Sequence, residues 1–189
     1  MMFGLGIYKK RDVELYRELY ESDEIVIQKL KLEIMELEES RDLVEFIRSI
    51  KDESIVSIVQ NNDPEPELYV LTKREDHKSL TITMKNPYRK DFPFVNVALK
   101  KVVKVDETGI KGTENQELYI EDINAKNKRV GNGRILINTI INYAKEQHYK
   151  TIVGKITDKD KKDTPGLPTF YNKMGFTLNK EESYFEMEL

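Results

Sequence analysis

The segment Lys128-Arg129-Val130-Gly131-Asn132-Gly133-Arg134 constrains this chain more than any other, because it joins a strand pattern, Glu117 to Asn124, to a helix pattern, Gly133 to Gln147. Glycine lets a backbone pass close to a ligand. The free amides of a first helical turn, backed by the positive end of the helix dipole, favour bound anions. The segment is therefore a candidate phosphate site, with Lys128, Arg129 and Arg134 supplying positive charge. The same residues also suit an ordinary strand-to-helix turn with solvated basic side chains, and two glycines alone do not separate these readings.

A second segment, Leu167-Pro168-Thr169-Phe170-Tyr171-Asn172-Lys173-Met174-Gly175-Phe176, lies one helix and one strand further on. Together the two resemble the GCN5-related N-acetyltransferase (GNAT) superfamily. That family carries an Arg/Gln-x-x-Gly-x-Gly turn for the acyl-CoA pyrophosphate, then a helix, a strand, and a short helix ending in Tyr-x-Lys-x-Gly-Phe. The counterparts here are Lys128-Arg129-Val130-Gly131-Asn132-Gly133 and Tyr171-Asn172-Lys173-Met174-Gly175-Phe176. The match covers roughly the last 75 residues. Lys128 stands where the family has Arg or Gln and offers charge without a planar fork. Asn132 stands where the family usually has an aliphatic residue.

The resemblance implies an α/β fold: a mixed, mostly antiparallel central sheet flanked by helices, the acyl-CoA N-acyltransferase fold, here with an N-terminal helical extension. It implies transfer of an acetyl group from acetyl-CoA to a primary amine by direct attack through a tetrahedral intermediate. The backbone of Ile123, Asn124 and Ala125 would meet the pantetheine arm, and Lys128, Arg129, Val130, Gly131, Asn132, Gly133 and Arg134 the pyrophosphate. Tyr171 matches the family's tyrosine near the thioester sulfur, a general acid, and the alternative is that it only packs there with Phe170. An acidic residue on the strand before the glycine turn often serves as base in the family. Strict alternation would put Glu121 with Tyr119 and Ile123 on one face and Asp122 with Leu118 and Ile120 on the other, which leaves Glu121 toward an acceptor cleft. The alternative for Glu121 is a surface cross-strand salt bridge. The family's Asn after the next strand is absent, and Asp158 is the nearest substitute within a charged segment, Thr157 to Gly166, that reads as a solvated loop.

The rival function is a non-catalytic or degenerate acyl-CoA-binding domain acting in protein interaction through its N-terminal helices. A P-loop reading lacks the Gly-Lys-Ser/Thr ending, and the dinucleotide Gly-x-Gly-x-x-Gly is incomplete.

Composition narrows the chemistry further. The chain has no cysteine and only two histidines, His77 and His148, so thiolate nucleophiles, disulfides and histidine-rich metal centres are not expected. A net charge of −3 gives no bulk reason to expect nucleic-acid binding. Met1 to Tyr8 is too short, and has its basic residues on the wrong side, for a signal peptide or membrane span, so cytoplasmic residence is the expectation.

From Asp12 to Ser40 the pattern is helical, with Val13, Tyr16, Leu19 and Tyr20 on one face and Ile27, Leu30, Ile34 and Leu37 on another. Arg41 interrupts the second stripe after two heptads, and Asp42 to Ile50 extends or follows as a second helix. These helices would pack on the sheet, or form a homodimer contact. Residues 1–50 thus read as a helical segment and 51–189 as the acyltransferase-like domain. Strands are expected at Ser54 to Gln60, Glu67 to Lys73, Ser79 to Met84, Phe94 to Val105 and Glu117 to Asn124, then at Thr151 to Ile156 and Ser183 to Leu189, with a short helix from Leu167 to Met174. Either Leu5 to Tyr8 supplies the family's first strand, or the meander contains an inserted hairpin.

Overall fold

The computed structural model describes residues 4–64, 66–105, 111–127 and 129–189. The chain forms two compact units, Met1–Ser49 and Ile50–Leu189. Among the described residues the first contains a single helix, α1 (Gly4–Ser49). No break occurs at Arg41, and Leu5 to Tyr8 are helical, so they supply no strand. The physical reason is the absence of any Gly or Pro between Ile7 and Ser49, because a charge in an apolar stripe changes what a face can bury without stopping a helix.

The second unit is a mixed α/β structure. Its strands are β1 (Ser54–Gln60), β2 (Leu68–Glu75), β3 (Ser79–Lys85), β4 (Phe94–Val105) and β5 (Lys111–Asn124), followed by helix α2 (Asn132–Glu146) and strand β6 (Thr151–Lys155). Two short helices, α3 (Asp158–Asp163) and α4 (Leu167–Lys173), precede β7 (Thr177–Leu178) and β8 (Tyr184–Glu188). The eight strands lie in the order β1-β2-β3-β4-β5-β6-β8-β7. Among the described residues only β5 and β6 pair in parallel, and the other neighbouring pairs are antiparallel.

Two expected boundaries move. β5 begins at Lys111 rather than at the expected Glu117, and the pairs Val103↔Glu114 and Val105↔Lys111 hold its early part to β4 across an irregularity. The segment after β6, read as a loop, contains α3. Thr157 caps α3 through a capping box, in which its Oγ1 accepts from the Asp160 amide at 3.2 Å and its own amide donates to Asp160 Oδ2 at 2.8 Å. That box is written in the sequence as Thr157-x-x-Asp160, and it outweighs the high charge of the segment.

One face of the sheet carries the core. On β3, Leu80, Ile82 and Met84 alternate with half-buried threonines, and all three are fully buried. Helix α2 lays Leu136, Ile137, Ile140 and Ala144 onto that layer. Its far end is tied to β2 by Tyr143, whose hydroxyl donates to Glu75 Oε1 at 2.7 Å, while Lys73 pairs with Glu75 at 3.0 Å. Such burial fixes the helix axis, so the opposite end of α2 is a rigid element.

Carboxylates with ordered partners give the fold a defined acid limit. The Tyr69 hydroxyl, 2.6 Å away, lowers the pKa of Glu67, helped by Arg89 against the effect of burial. Burial alone would raise Glu75, but hydrogen bonds from Tyr143 and Lys73 outweigh it and the net shift is downward. A depressed folded pKa stabilises the native state above the unfolded value, and that stabilisation is lost as pH falls through the folded value. The urea midpoint is therefore expected to hold above the ordinary value of 4.5 and to drop progressively below it. Glu75→Gln should flatten that drop, and an unchanged slope would remove Glu75 from the account.

Candidate functional site

The site is built where β5 ends and α2 begins. From Glu117 to Ile120, β5 pairs with both β4 and β6. The parallel ladder then stops at Ile120 and Gly154, while pairing with β4 continues to Asn124. Beyond Ile120 the two parallel strands part, and the backbone of Ile123 and Asn124 has one edge without a strand partner among the described residues. Such an edge can hydrogen-bond an extended ligand as an added strand would.

A β-bulge marks the same point. Val97 pairs with Ile120 and Asn96 with Asp122, so Glu121 is the extra residue, opposite no partner. The alternation expected from sequence fails here. Val97 and Asn96 are adjacent and point to opposite faces, so Ile120 is buried with Val97 while Asp122 turns to the face of Asn96 and is exposed. Glu121 is exposed as well. The bulge thus removes the cost of a buried Asp122 that strict alternation would impose, and it brings both carboxylates to the surface where the strands part. Ile123, three residues after Ile120, packs against the core.

Next comes the glycine turn. Asn124 Oδ1 accepts from the Lys126 amide at 3.1 Å, which starts the chain turning, and Lys126 and Arg129 adopt left-handed backbone at φ 55° and 70°. Lys128 lies outside the described residues. Gly131 is the N-cap of α2 at φ 87°, a conformation glycine adopts without the Cβ penalty. The Val130 carbonyl accepts from the Asn62 amide at 2.9 Å, and the Asn62 side chain lies against the bare Cα of Gly131. The β1–β2 connection therefore braces the turn, a contact between segments about 70 residues apart that no local pattern in the sequence signals.

No side chain among the described residues caps α2, and its first turn holds no acidic residue. The amides of Asn132, Gly133 and Arg134 precede the first intrahelical bond, donated by Ile135 to Gly131 O at 3.1 Å. The Asn132 side chain is fully buried and donates to Ala125 O at 3.2 Å, which ties the end of β5 to the helix; its Oδ1 has no partner. That bond gives the Asn132 amide a structural role at the start of the helix. Val130 is half-buried, and Arg129 and Arg134 are exposed.

Helix α4 closes the arrangement. A Cβ on Gly133 would lie 3.4 Å from Phe170 Cζ and 3.5 Å from Ala125 Cβ, so the Phe170 ring, the end of β5 and the first turn of α2 converge on one glycine. Pro168 in the first turn and Gly175 at φ 92° just beyond punctuate α4 as its sequence indicates. Tyr171 is 2% exposed, stacked on Phe185 at 3.8 Å with Phe170 and Phe176 edge-on to it. Burial pushes the Tyr171 pKa up, and the Asp160 and Asp122 carboxylates add to the shift, so the phenol stays protonated. Asp122 is thus within electrostatic reach of Tyr171, which the sequence reading missed because a bulge leaves no mark in side-chain pattern. Asp158 is exposed on the first turn of α3.

The structure thus brings Ala125, the Gly131–Gly133 turn and α4 together, with Ile123, Asn124 and Glu121 on the adjoining strand. Among the described residues no group of three or more His, Asp or Glu side chains is placed to hold a metal ion, and no helix is long and apolar enough to cross a membrane. No family model matches the chain, and no curated protein matches it.

Proposed function

We propose that the chain is a GNAT-type N-acetyltransferase that moves an acetyl group from acetyl-CoA to a primary amine. The observation that carries this reading is the uncapped N-terminus of α2, preceded by a left-handed glycine and set beside the gap where two parallel strands part. Helix amides with no side-chain acceptor suit a pyrophosphate, and a strand edge freed beside them suits the two amides of a pantetheine arm. Arg129 and Arg134, exposed at either end of the turn, add charge for the same anion.

In this reading the chemistry needs no covalent enzyme intermediate, which accords with a chain lacking cysteine. A neutral amine attacks the thioester carbonyl, the tetrahedral oxyanion collapses, and the CoA sulfur leaves and takes a proton. Tyr171, held protonated, donates that proton. Glu121, as the exposed extra residue of the bulge, accepts the amine proton directly or through water.

Calorimetry with acetyl-CoA, CoA and ATP tests the donor site. Acetyl-CoA and CoA are expected to bind and ATP to bind far more weakly. Gly133→Val should abolish CoA binding, because a branched side chain there meets Phe170 and Ala125 at the mouth of the turn. Retained affinity in that variant would remove the turn from the site. Binding of acetyl-CoA without turnover on any of a panel of primary amines would favour the non-catalytic alternative, in which the unit only holds acyl-CoA.

A further inference from the structure

The first unit consists of α1, which has no second element of its own to bury apolar side chains against. Helices in proteins draw most of their stability from packing an apolar face, so the exposed apolar positions along α1 call for a partner surface. Its continuity through Arg41 changes the reading of its apolar positions. Tyr20 and Ile27 are seven residues apart, as are Leu37 and Val44, so the stripes assigned to separate faces fall into one heptad seam running along most of the helix. Tyr20, Ile27, Leu30, Ile34, Leu37 and Val44 are all exposed, from 46% to 69%. Between Tyr20 and Val44 two charged residues sit in the seam, Asp23 and Arg41, and beyond that stretch Arg48 follows Arg41 at the same heptad position. Leu15, Ile25, Val26, Leu32 and Met35 are exposed outside it, and among them only Ile25 and Leu32 share a heptad position, so they form no second seam.

We propose that α1 pairs with α1 of a second copy of this chain as an antiparallel two-stranded coiled coil, with Asp23 of each chain opposite Arg41 of the other. The argument is the symmetry of the seam about Leu32. Reflecting positions through that residue places Leu30 against Ile34, Ile27 against Leu37 and Tyr20 against Val44. The same reflection sets Asp23 against Arg41, so both breaks in the apolar pattern meet with opposite charge. A two-fold axis makes the contact self-complementary and closed. In the parallel arrangement Asp23 would face Asp23 and Arg41 would face Arg41 across the seam, and like charges there disfavour that pairing.

The rim is mixed and does not decide the orientation. In the antiparallel register Arg17 approaches Glu45 of the partner subunit, while Glu24 approaches Glu38 of the partner subunit. Exposed pairs of this kind are worth little beside charges held in the seam. Arg41 contacts Asp42 at 3.2 Å, an exposed neighbour contact that the pairing with Asp23 would replace.

The full-length chain is expected to sediment as a dimer. Because it has no cysteine, Glu18→Cys gives a single labelling site on the outer face of the helix. At a rise of about 1.5 Å per residue, the two spin labels should lie about 40 Å apart in the antiparallel dimer and under about 20 Å apart in a parallel one. Asp23→Arg should weaken dimerisation by more than about tenfold, and the charge-exchanged Asp23→Arg/Arg41→Asp chain should recover it. A monomer at all accessible concentrations, a short label distance, or no recovery in the exchanged chain would each overturn the proposal. The label distance is measured with Asp23 and Arg41 intact, so it decides even if the charge variants fold poorly.

Discussion

Gly154→Ala is expected to destabilise the second unit by about 3 kcal/mol and to lower its melting temperature by about 10 °C. A Cβ built at Gly154 would lie 2.2 Å from Phe185 Cζ and 2.8 Å from both neighbouring ring carbons. The Phe185 ring crosses the bare backbone of its cross-strand partner. It has nowhere to retreat. The Tyr171 ring is stacked on it at 3.8 Å, Phe176 stands edge-on at 5.3 Å, and Phe185 is 1% exposed. Thermal unfolding of Gly154→Ala, Phe185→Leu and the double variant checks this. The leucine makes room for the methyl group, so the double variant should be more stable than the sum of the two single losses predicts. A Gly154→Ala cost below about 1 kcal/mol would mean that the aromatic stack yields, and the reasoning would fail.

Tyr171→Phe is expected to lower kcat about 100-fold while leaving acetyl-CoA affinity within about threefold, the pattern for loss of a proton donor in the transition state. The substitution keeps the ring and its stacking on Phe185, so it removes the hydroxyl and little else. The hydroxyl's protonation also sets a pH expectation. Burial and the carboxylates of Asp160 and Asp122 hold the phenol above its ordinary value of 10.0, so activity should show no alkaline fall from this group up to that pH. Steady-state rates on a panel of amines, paired with calorimetry, separate the roles. Equal loss of rate and affinity would make Tyr171 a packing residue.

These two positions also show how far the sequence could be read. The Tyr171 helix announced itself through Pro168 and Gly175, and the glycine turn through Gly131 and Gly133, because backbone punctuation is a local property of residue type. The strands of the meander were legible for the same reason, since β-branched residues between turn signals need no tertiary information. The contact of Phe185 with Gly154 was not, because it depends on which residues lie opposite one another. The bulge at Glu121 was hidden more deeply. One inserted residue reverses the facing of all that follows while every side chain in the strand remains an ordinary strand residue. At α3 the failure was one of weighting, since the capping signal of Thr157 and Asp160 was present and the charge of the segment was allowed to override it. At Arg41 the sequence left open whether the helix is extended or followed by another, and the chain takes the extension because nothing there breaks a helix.

The single parallel pair has a consequence for where any ligand of this sheet can sit. In an antiparallel pair the carboxyl end of one strand lies beside the amino end of its neighbour. Among the described residues only β5 and β6 bring two adjacent carboxyl ends to one edge, with a crossover helix starting from that edge. The Gly131 turn is that start, so the uncapped end of α2 lies where those two carboxyl ends meet. The address is written in strand direction.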